Sequence, residues 1–302
     1  METVTLTPTA EPAQAKTPLQ HTIANYYTVA GPDYEAWSKQ FNMHFGYCKK
    51  FTDIFSLEKM LNRMNEEVLQ HLDIAVIKPT TIVDLGCGVG TVARYAAKKY
   101  PHVQLTGVTI VDFQLQKGKE LINKEGLTGK VNLIKDNYEA LHFADESFDK
   151  AYALESACHA NGSNKALFVK EMARVLKTGG QFCVADGFLK HDKKLPWLFE
   201  KIYKKIINCW ALPCFGNIND FTEALKQNGL KEITVKEISV QIAPSVAYVP
   251  YTCVKFFLTE LWRTKTLRLK KERWNNVYAP LLGMILGLYR KHFGYYIISG
   301  KK

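Results

Sequence analysis

No stretch of this sequence is apolar for long enough to cross a bilayer; the longest run, residues 277–289, falls well short of the ~20 that a spanning helix needs. Seven cysteines are present, but the count is odd and no two stand as CxxC. That speaks against a disulfide framework and a zinc ribbon, and fits reduced, buried thiols in a cytosolic protein. His, Cys, Asp and Glu nowhere fall at metal-ligand spacing, so no metal site is expected. No internal repeat or clean linker divides the chain. The first 20 residues, rich in Thr, Pro and Ala, lack the apolar core of a signal peptide or anchor and are expected to be a disordered tail.

Positive charge is abundant but uneven. Of the formal net charge of +11, nine units fall after residue 230, most densely in 263–273, beside the apolar run 277–289. No RNA- or DNA-binding motif accompanies it, so nucleic acid is not the expected partner. A basic stretch beside an apolar one suits peripheral contact with an anionic membrane surface, or an acidic substrate; a solvated basic helix followed by a buried one is the equal alternative. Oligomeric state leaves no signature in the sequence.

Periodicity gives the architecture. Residues 33–72 carry apolar positions every three or four residues and read as helix, so 21–75 forms an N-terminal helical cap. From Ile82 onward short apolar runs alternate with amphipathic stretches. Strands are expected at 82–85, 103–110, 131–135, 148–154, 181–185, 231–240 and 293–298, and helices at 92–99, 114–125 and 164–176. Such alternation predicts an α/β fold with a mostly parallel seven-stranded sheet, its last strands antiparallel at the edge. The catalytic domain would span 76–302, with a C-terminal helical insertion or lid at about 187–292.

The chemistry centres on residues 81–91, Thr-Ile-Val-Asp-Leu-Gly-Cys-Gly-Val-Gly-Thr. A strand runs into Gly86, Gly88 and Gly90 and then a helix, so a ligand can press against the backbone at a helix N-terminus. No glycine completes the dinucleotide GxGxxG. This form resembles the first motif of class I S-adenosylmethionine (SAM)-dependent methyltransferases, whose fold is Rossmann-like. The resemblance assigns Asp84, Gly86, Gly88 and Gly90 to the amino-acid end of SAM. At the end of the second strand, where most such enzymes place an acid on the ribose, this chain has Thr109, followed by Gln114. That departure is similar to cyclopropane-fatty-acid-synthase-like and terpenoid methyltransferases, and makes Thr109 and Gln114 the ribose partners. Asp136 and Asn137 stand where adenine is read, unless they only form an Asx turn.

Two further regions sharpen the resemblance. The aromatic segments Tyr26-Tyr27, Tyr34-Glu35-Ala36-Trp37 and 41–47 resemble the first region of sterol side-chain methyltransferases. Residues 148–160, with Glu155-Ser-Ala-Cys158-His159-Ala160, resemble the same family's acidic signature, and 171–180 resemble the generic class I ending. The likeness covers about residues 25–186; beyond Ala185 no sterol pattern is legible. The resemblance implies C-methylation of an isoprenoid alkene through a tertiary carbocation, the side-chain double bond of a sterol (carbon 24) being first choice. Catalytic roles would fall to Glu155, His159, Tyr34 and His44, with Trp37, Phe41 and Tyr47 lining the acceptor, since aromatic faces and one carboxylate stabilise a cation. The alternative, a prenyl-diphosphate acceptor, would bring the Lys/Arg of 263–273 to the pocket and Mg²⁺ to the diphosphate. A tocopherol- or alkaloid-type methyltransferase and a non-catalytic SAM-binding module are more distant readings.

Overall fold

The computed structural model describes residues 17–75 and 77–302. Helix α1 (Pro18–Ala30) opens on a capping box between Thr17 and Gln20. The chain is therefore helical already at residues 18–20, which were expected to belong to the tail; residues 1–16 lie outside the described ones. Helix α2 (Tyr34–Trp37) is a single turn, and an irregular stretch separates it from α3 (Leu57–Gln70). The helix expected over 33–72 is thus interrupted. Phe41 takes φ +61°, and Gly46 abuts α3 so closely that a Cβ there would meet Met60 Cβ at 2.6 Å. The interrupting loop also has partners of its own, because buried Asn42 bonds Ser38, His44 and Asn65.

The core then alternates as expected: β1 (Thr80–Leu85), α4 (Thr91–Lys99), β2 (Val103–Thr109), α5 (Asp112–Lys124), β3 (Val131–Lys135), β4 (Phe148–Leu154), α6 (Ala166–Val175) and β5 (Leu176–Leu189). Ile82, Val83 and Leu85 of β1 are fully buried, each side chain contributing about 1.5–3 kcal/mol on transfer from water. After β5 come α7 (Trp197–Cys209), β6 (Gly216–Asn217), α8 (Ile218–Gln227), β7 (Lys231–Glu237), α9 (Ser239–Val246), α10 (Val249–Thr264), α11 (Lys271–Leu288) and β8 (Phe293–Lys301).

The main path of the sheet runs β3-β2-β1-β4-β5-β8-β7, with the two-residue β6 as an eighth strand beside β5. Pairs among β1 to β6 are parallel; β8 is antiparallel to both β5 and β7. β8 is buried along Phe293–Ser299 and takes an interior position, whereas β7 is largely exposed, carries Lys231 and Lys236, and forms the edge. The segment 187–292 is not one helical insertion: α8 packs on α6 and β7 joins the sheet, which leaves α7 and α9–α11 as the lid. Helix α1 rests on α11 and α5 and α7 rests on α11, so the N-terminal cap and the lid close over the same sheet edge. Among the described residues no helix is long and apolar enough to cross a membrane.

Candidate active site

The parallel strands aim their carboxyl ends at one edge, and the register puts Asp84 of β1 beside Tyr152 of β4, and Leu154 beside Ala185 of β5. Two cavities open at that edge, where ligands of open α/β sheets sit. The first, about 940 Å³ of empty space, is floored by the glycine turn and contains Asp84, Gly86, Gly88, Thr109, Gln114, Asp136 and Asn137. The second, about 1130 Å³, lies under the cap and lid and contains Tyr34, Trp37, Trp210, Phe215, Phe256 and Tyr295. Tyr27, Met43, His44, Glu155 and His159 line both.

In the first cavity Gly86, Gly88 and Gly90 all take left-handed φ of +87°, +54° and +72°. A Cβ on Gly86 would sit 2.5 Å from Ser156 Cβ, while one on Gly88 would meet within 4 Å only the Met43 sulfur at 3.3 Å. The turn is thus packed from below and bare toward the cavity, which fits a ligand pressed on its backbone. Gly90 caps α4 in the turn; it belongs to the motif but not to the cavity wall. Asp84 is buried and accepts from the Tyr152 hydroxyl at 2.7 Å; burial pushes its carboxyl up to about 7. A bound ammonium would restore its charge. The Thr109 hydroxyl donates to Gln114 Oε1 at 2.7 Å, so the pair expected on the ribose is held as a unit. Asp136 accepts from Asn137 N–H and from both the backbone and the Nδ1 of His142, and Asn137 Oδ1 accepts from Glu139 N–H. Asn137 therefore forms the Asx turn while both residues still face the cavity.

Glu155 follows β4 at φ +49°, a strained conformation for a residue with a side chain. Its Oε1 accepts from Phe45 N–H at 2.7 Å and from the Tyr295 hydroxyl at 2.8 Å. Among the described residues nothing bonds Oε2. Glu155 is partly exposed and lines both cavities. Desolvation raises its carboxyl to about 8; the Phe45 N–H pulls it down, Asp186 adds to the rise, and Tyr295 again pulls down. Asp186, bonded to the N–H groups of Cys158 and Gly187, is itself lifted to about 6 by burial. Removing one donor gives a test: Tyr295→Phe moves the acid limb of the pH–rate profile to higher pH and lowers turnover near neutrality by roughly tenfold, since a bond to a charged group contributes ~1.5–3 kcal/mol. Steady-state rates across pH read both effects.

His159 Nε2 lies 2.9 Å from the Tyr27 hydroxyl; Nδ1 is buried and makes no hydrogen bond of good geometry. Burial lowers the imidazole to about 4, although the Ala211 backbone beside the ring pulls its pKa upward, so the ring is neutral. His44 is held differently. Nδ1 faces the Phe45 carbonyl at 2.8 Å and Nε2 faces Asn42 Oδ1 at 3.1 Å, so both nitrogens are engaged and it positions the loop. Trp37 lines the second cavity with its Nε1 donating to His44 O, and Tyr34 lines it beside Tyr27. Two expected acceptor residues lie elsewhere. Phe41 faces the first cavity, because Thr91 and Arg94 of α4 bond the carbonyls of Phe41 and Gln40 and bolt that loop over the glycine turn. Tyr47 borders neither cavity; it packs in the core with Met64 and Val68.

Tyr295, Met43, Asp186 and Tyr27 were not predicted as site residues. Tyr27 and Met43 lie within the aromatic segments and could have been included; Tyr295 is 140 residues from Glu155 and carried no signal.

Residues 82–180 match the family model described as a methyltransferase domain. The chain is 35% identical over 170 residues to 2-methyl-6-phytyl-1,4-hydroquinone methyltransferase of Synechocystis sp., covering 55% of this chain and 52% of that one. It is 29% identical over 260 residues to cycloartenol-C-24-methyltransferase of Arabidopsis thaliana, covering 82% and 73%. The chain thus spans about half the length of the first of these relatives. In fold it resembles the cyclopropane synthase MmaA2 of Mycobacterium tuberculosis, with a TM-score of 0.80 over 95% of this chain and 99% of that one at 15% identity.

Proposed function

Because this chain carries a class I SAM-dependent methyltransferase domain, we propose that it methylates an electron-rich carbon of an isoprenoid lipid, first a sterol side-chain double bond at carbon 24. The observation that carries this reading is Glu155, which lines both a glycine-turn cavity and an aromatic one and has one oxygen fixed by two donors.

SAM, when bound, supplies a methyl group on a sulfonium. The glycine turn and Asp84 hold its amino-acid end, Thr109 and Gln114 its ribose, and Asp136 and Asn137 face its adenine. Lid and cap exclude water. Attack of the alkene π pair on that methyl carbon, with the S–CH₃ bond breaking, would leave positive charge on the neighbouring carbon. Glu155 Oε2, with no other partner, stabilises it, and the faces of Tyr34 and Trp37 add ~0.5–2 kcal/mol each. The proton whose loss restores a double bond passes to neutral His159 through the Tyr27 hydroxyl, which lines both cavities and lies 2.9 Å from Nε2.

The cavity also speaks against a diphosphate acceptor. No Lys or Arg is among its lining residues, whereas Asp33, Glu155 and Asp186 are. The cations of 263–273 that reading required are outside it: Arg273 forks onto Asp33 and Glu260, and Arg263 onto Glu260. Mg²⁺ has no role in the favoured reading. The identity to the Synechocystis enzyme supports a second reading, a prenylated hydroquinone methylated on a ring carbon, in which His159 takes the ring proton. An apolar acceptor of either kind resides in membranes, so a location at the cytoplasmic face of a membrane and a place in lipid metabolism go with the proposal. The test is mass spectrometry after incubation with labelled SAM and a panel of sterols, squalene, prenyl diphosphates and prenylated hydroquinones. A methyl gained on carbon of a sterol is expected; transfer only to oxygen or nitrogen, or no transfer, would sink the reading.

A further inference from the structure

We propose that the outer face of α10, with the basic segment after it, docks onto an anionic membrane surface. Helix α10 is apolar on two opposite sides. At 100° per residue, Val249, Cys253 and Phe256 share one side and line the acceptor cavity. Tyr251, Val254, Leu258, Leu261 and Trp262 share the other, with exposures of 66%, 58%, 63%, 45% and 78%. A surface helix ordinarily turns polar residues outward, and a contiguous exposed apolar face marks an interaction site.

Charge selects the occupant. Between residues 261 and 271 there is no acid, and Lys265, Arg268, Lys270 and Lys271 are exposed and make no ion pair among the described residues. The Lys265 ammonium lies 5.9 Å from the Trp262 ring centroid. An aromatic at the rim of an apolar face with cations beyond it is the pattern of an interfacial helix on acidic headgroups. A second copy of this chain would bring like charge to the same place, which opposes self-association. With the outer face in the headgroup layer, the inner face of the same helix becomes the wall between the bilayer and the acceptor cavity. This deepens the reading of a lipid acceptor, but binding to vesicles needs neither acceptor nor SAM, so the two ideas fail separately.

The experiment is flotation of the full chain with vesicles of phosphatidylcholine alone or with about a third phosphatidylglycerol. The native chain is expected to float with the anionic vesicles and only weakly with the neutral ones. The pairs Leu258→Ser with Trp262→Ser, and Arg268→Glu with Lys270→Glu, should each reduce partitioning at least about tenfold. Their thermal midpoints, and turnover on acceptor delivered by cyclodextrin, should remain native. Equal flotation on both vesicle types, no flotation, or native flotation of either pair overturns the proposal. So does a native dimer in solution that the apolar pair converts to monomer, since a second copy would then cover this face.

Discussion

Replacing Glu155 by Gln will lower turnover by at least about a hundredfold, the scale of losing one group that stabilises transition-state charge, while changing SAM affinity far less. The two side chains have the same shape, so the amide oxygen in place of Oε1 still accepts from both Phe45 N–H and the Tyr295 hydroxyl. What disappears is the negative charge facing the common wall. Measuring kcat with labelled SAM beside calorimetric SAM binding separates the two; a Gln variant with native turnover would falsify the catalytic role, and one that loses SAM binding would make the residue part of the cofactor site instead. The pH dependence follows with a definite sign. A carboxyl held at about 8 in the ligand-free protein is mostly protonated at neutral pH, so kcat/KM should rise as pH increases toward about 8. A neighbouring sulfonium favours the carboxylate, so the acid limb of kcat should lie at lower pH than that of kcat/KM. Coincident limbs would place Glu155 away from the charge.

The second large effect is expected at Gly86. At φ +87° any side chain is strained, and the new Cβ of Gly86→Ala would stand 2.5 Å from Ser156 Cβ and 2.9 Å from its hydroxyl. That hydroxyl donates to the Leu85 carbonyl and its residue follows Glu155, so it cannot retreat without disturbing both. Left-handed strain of ~1–2 kcal/mol and overpacking of ~1–3 kcal/mol together predict about 2–5 kcal/mol of lost stability. The turn must also shift out of the geometry that receives the ligand, so SAM affinity should fall about a hundredfold or more. Denaturant titration and calorimetry read the two losses; native stability together with native affinity would show that the turn has room that its measured contacts deny.

Much of this was legible in one dimension. The strand–glycine–helix run of 81–91 and the alternation after Ile82 reflect local chemistry, in which period-2 apolar runs, left-handed glycines and a helix start are written side by side. Glu155, His159, Thr109 and Gln114, all of which line a cavity, were picked out for the same reason, since each belongs to a short motif at or just beyond a strand end. The errors lie where the chain meets itself. Residues 33–72 have helical spacing, yet buried Asn42 and the close approach of Gly46 to Met60 exchange one turn of helix for side-chain bonds. Phe41 and Tyr47 belong to the same aromatic region as Trp37, and no spacing tells which ring faces the first cavity, the core or the second cavity. The strand expected at 231–240 is present as β7, but the segment 187–292 still read as one insertion because β6 is two residues long and nothing local tells that α8 packs on α6.

By itself, then, the amino-acid order determined the sheet's parallel half, the glycine turn after the first strand and the presence of one acid after the fourth strand. Only the folded molecule decided what that acid touches. Because β8 is antiparallel to β5, its first residues lie at the carboxyl edge, and Tyr295, opposite Gly187, reaches Glu155. The same closure leaves three acids and, among the described residues, no Lys or Arg lining the second cavity, since Arg273 is drawn off to Asp33 and Glu260 at the seam of cap and lid. The Glu155–Tyr295 and Asp33–Arg273 contacts join residues 140 and 240 positions apart, and their energy depends on distances that no local pattern records.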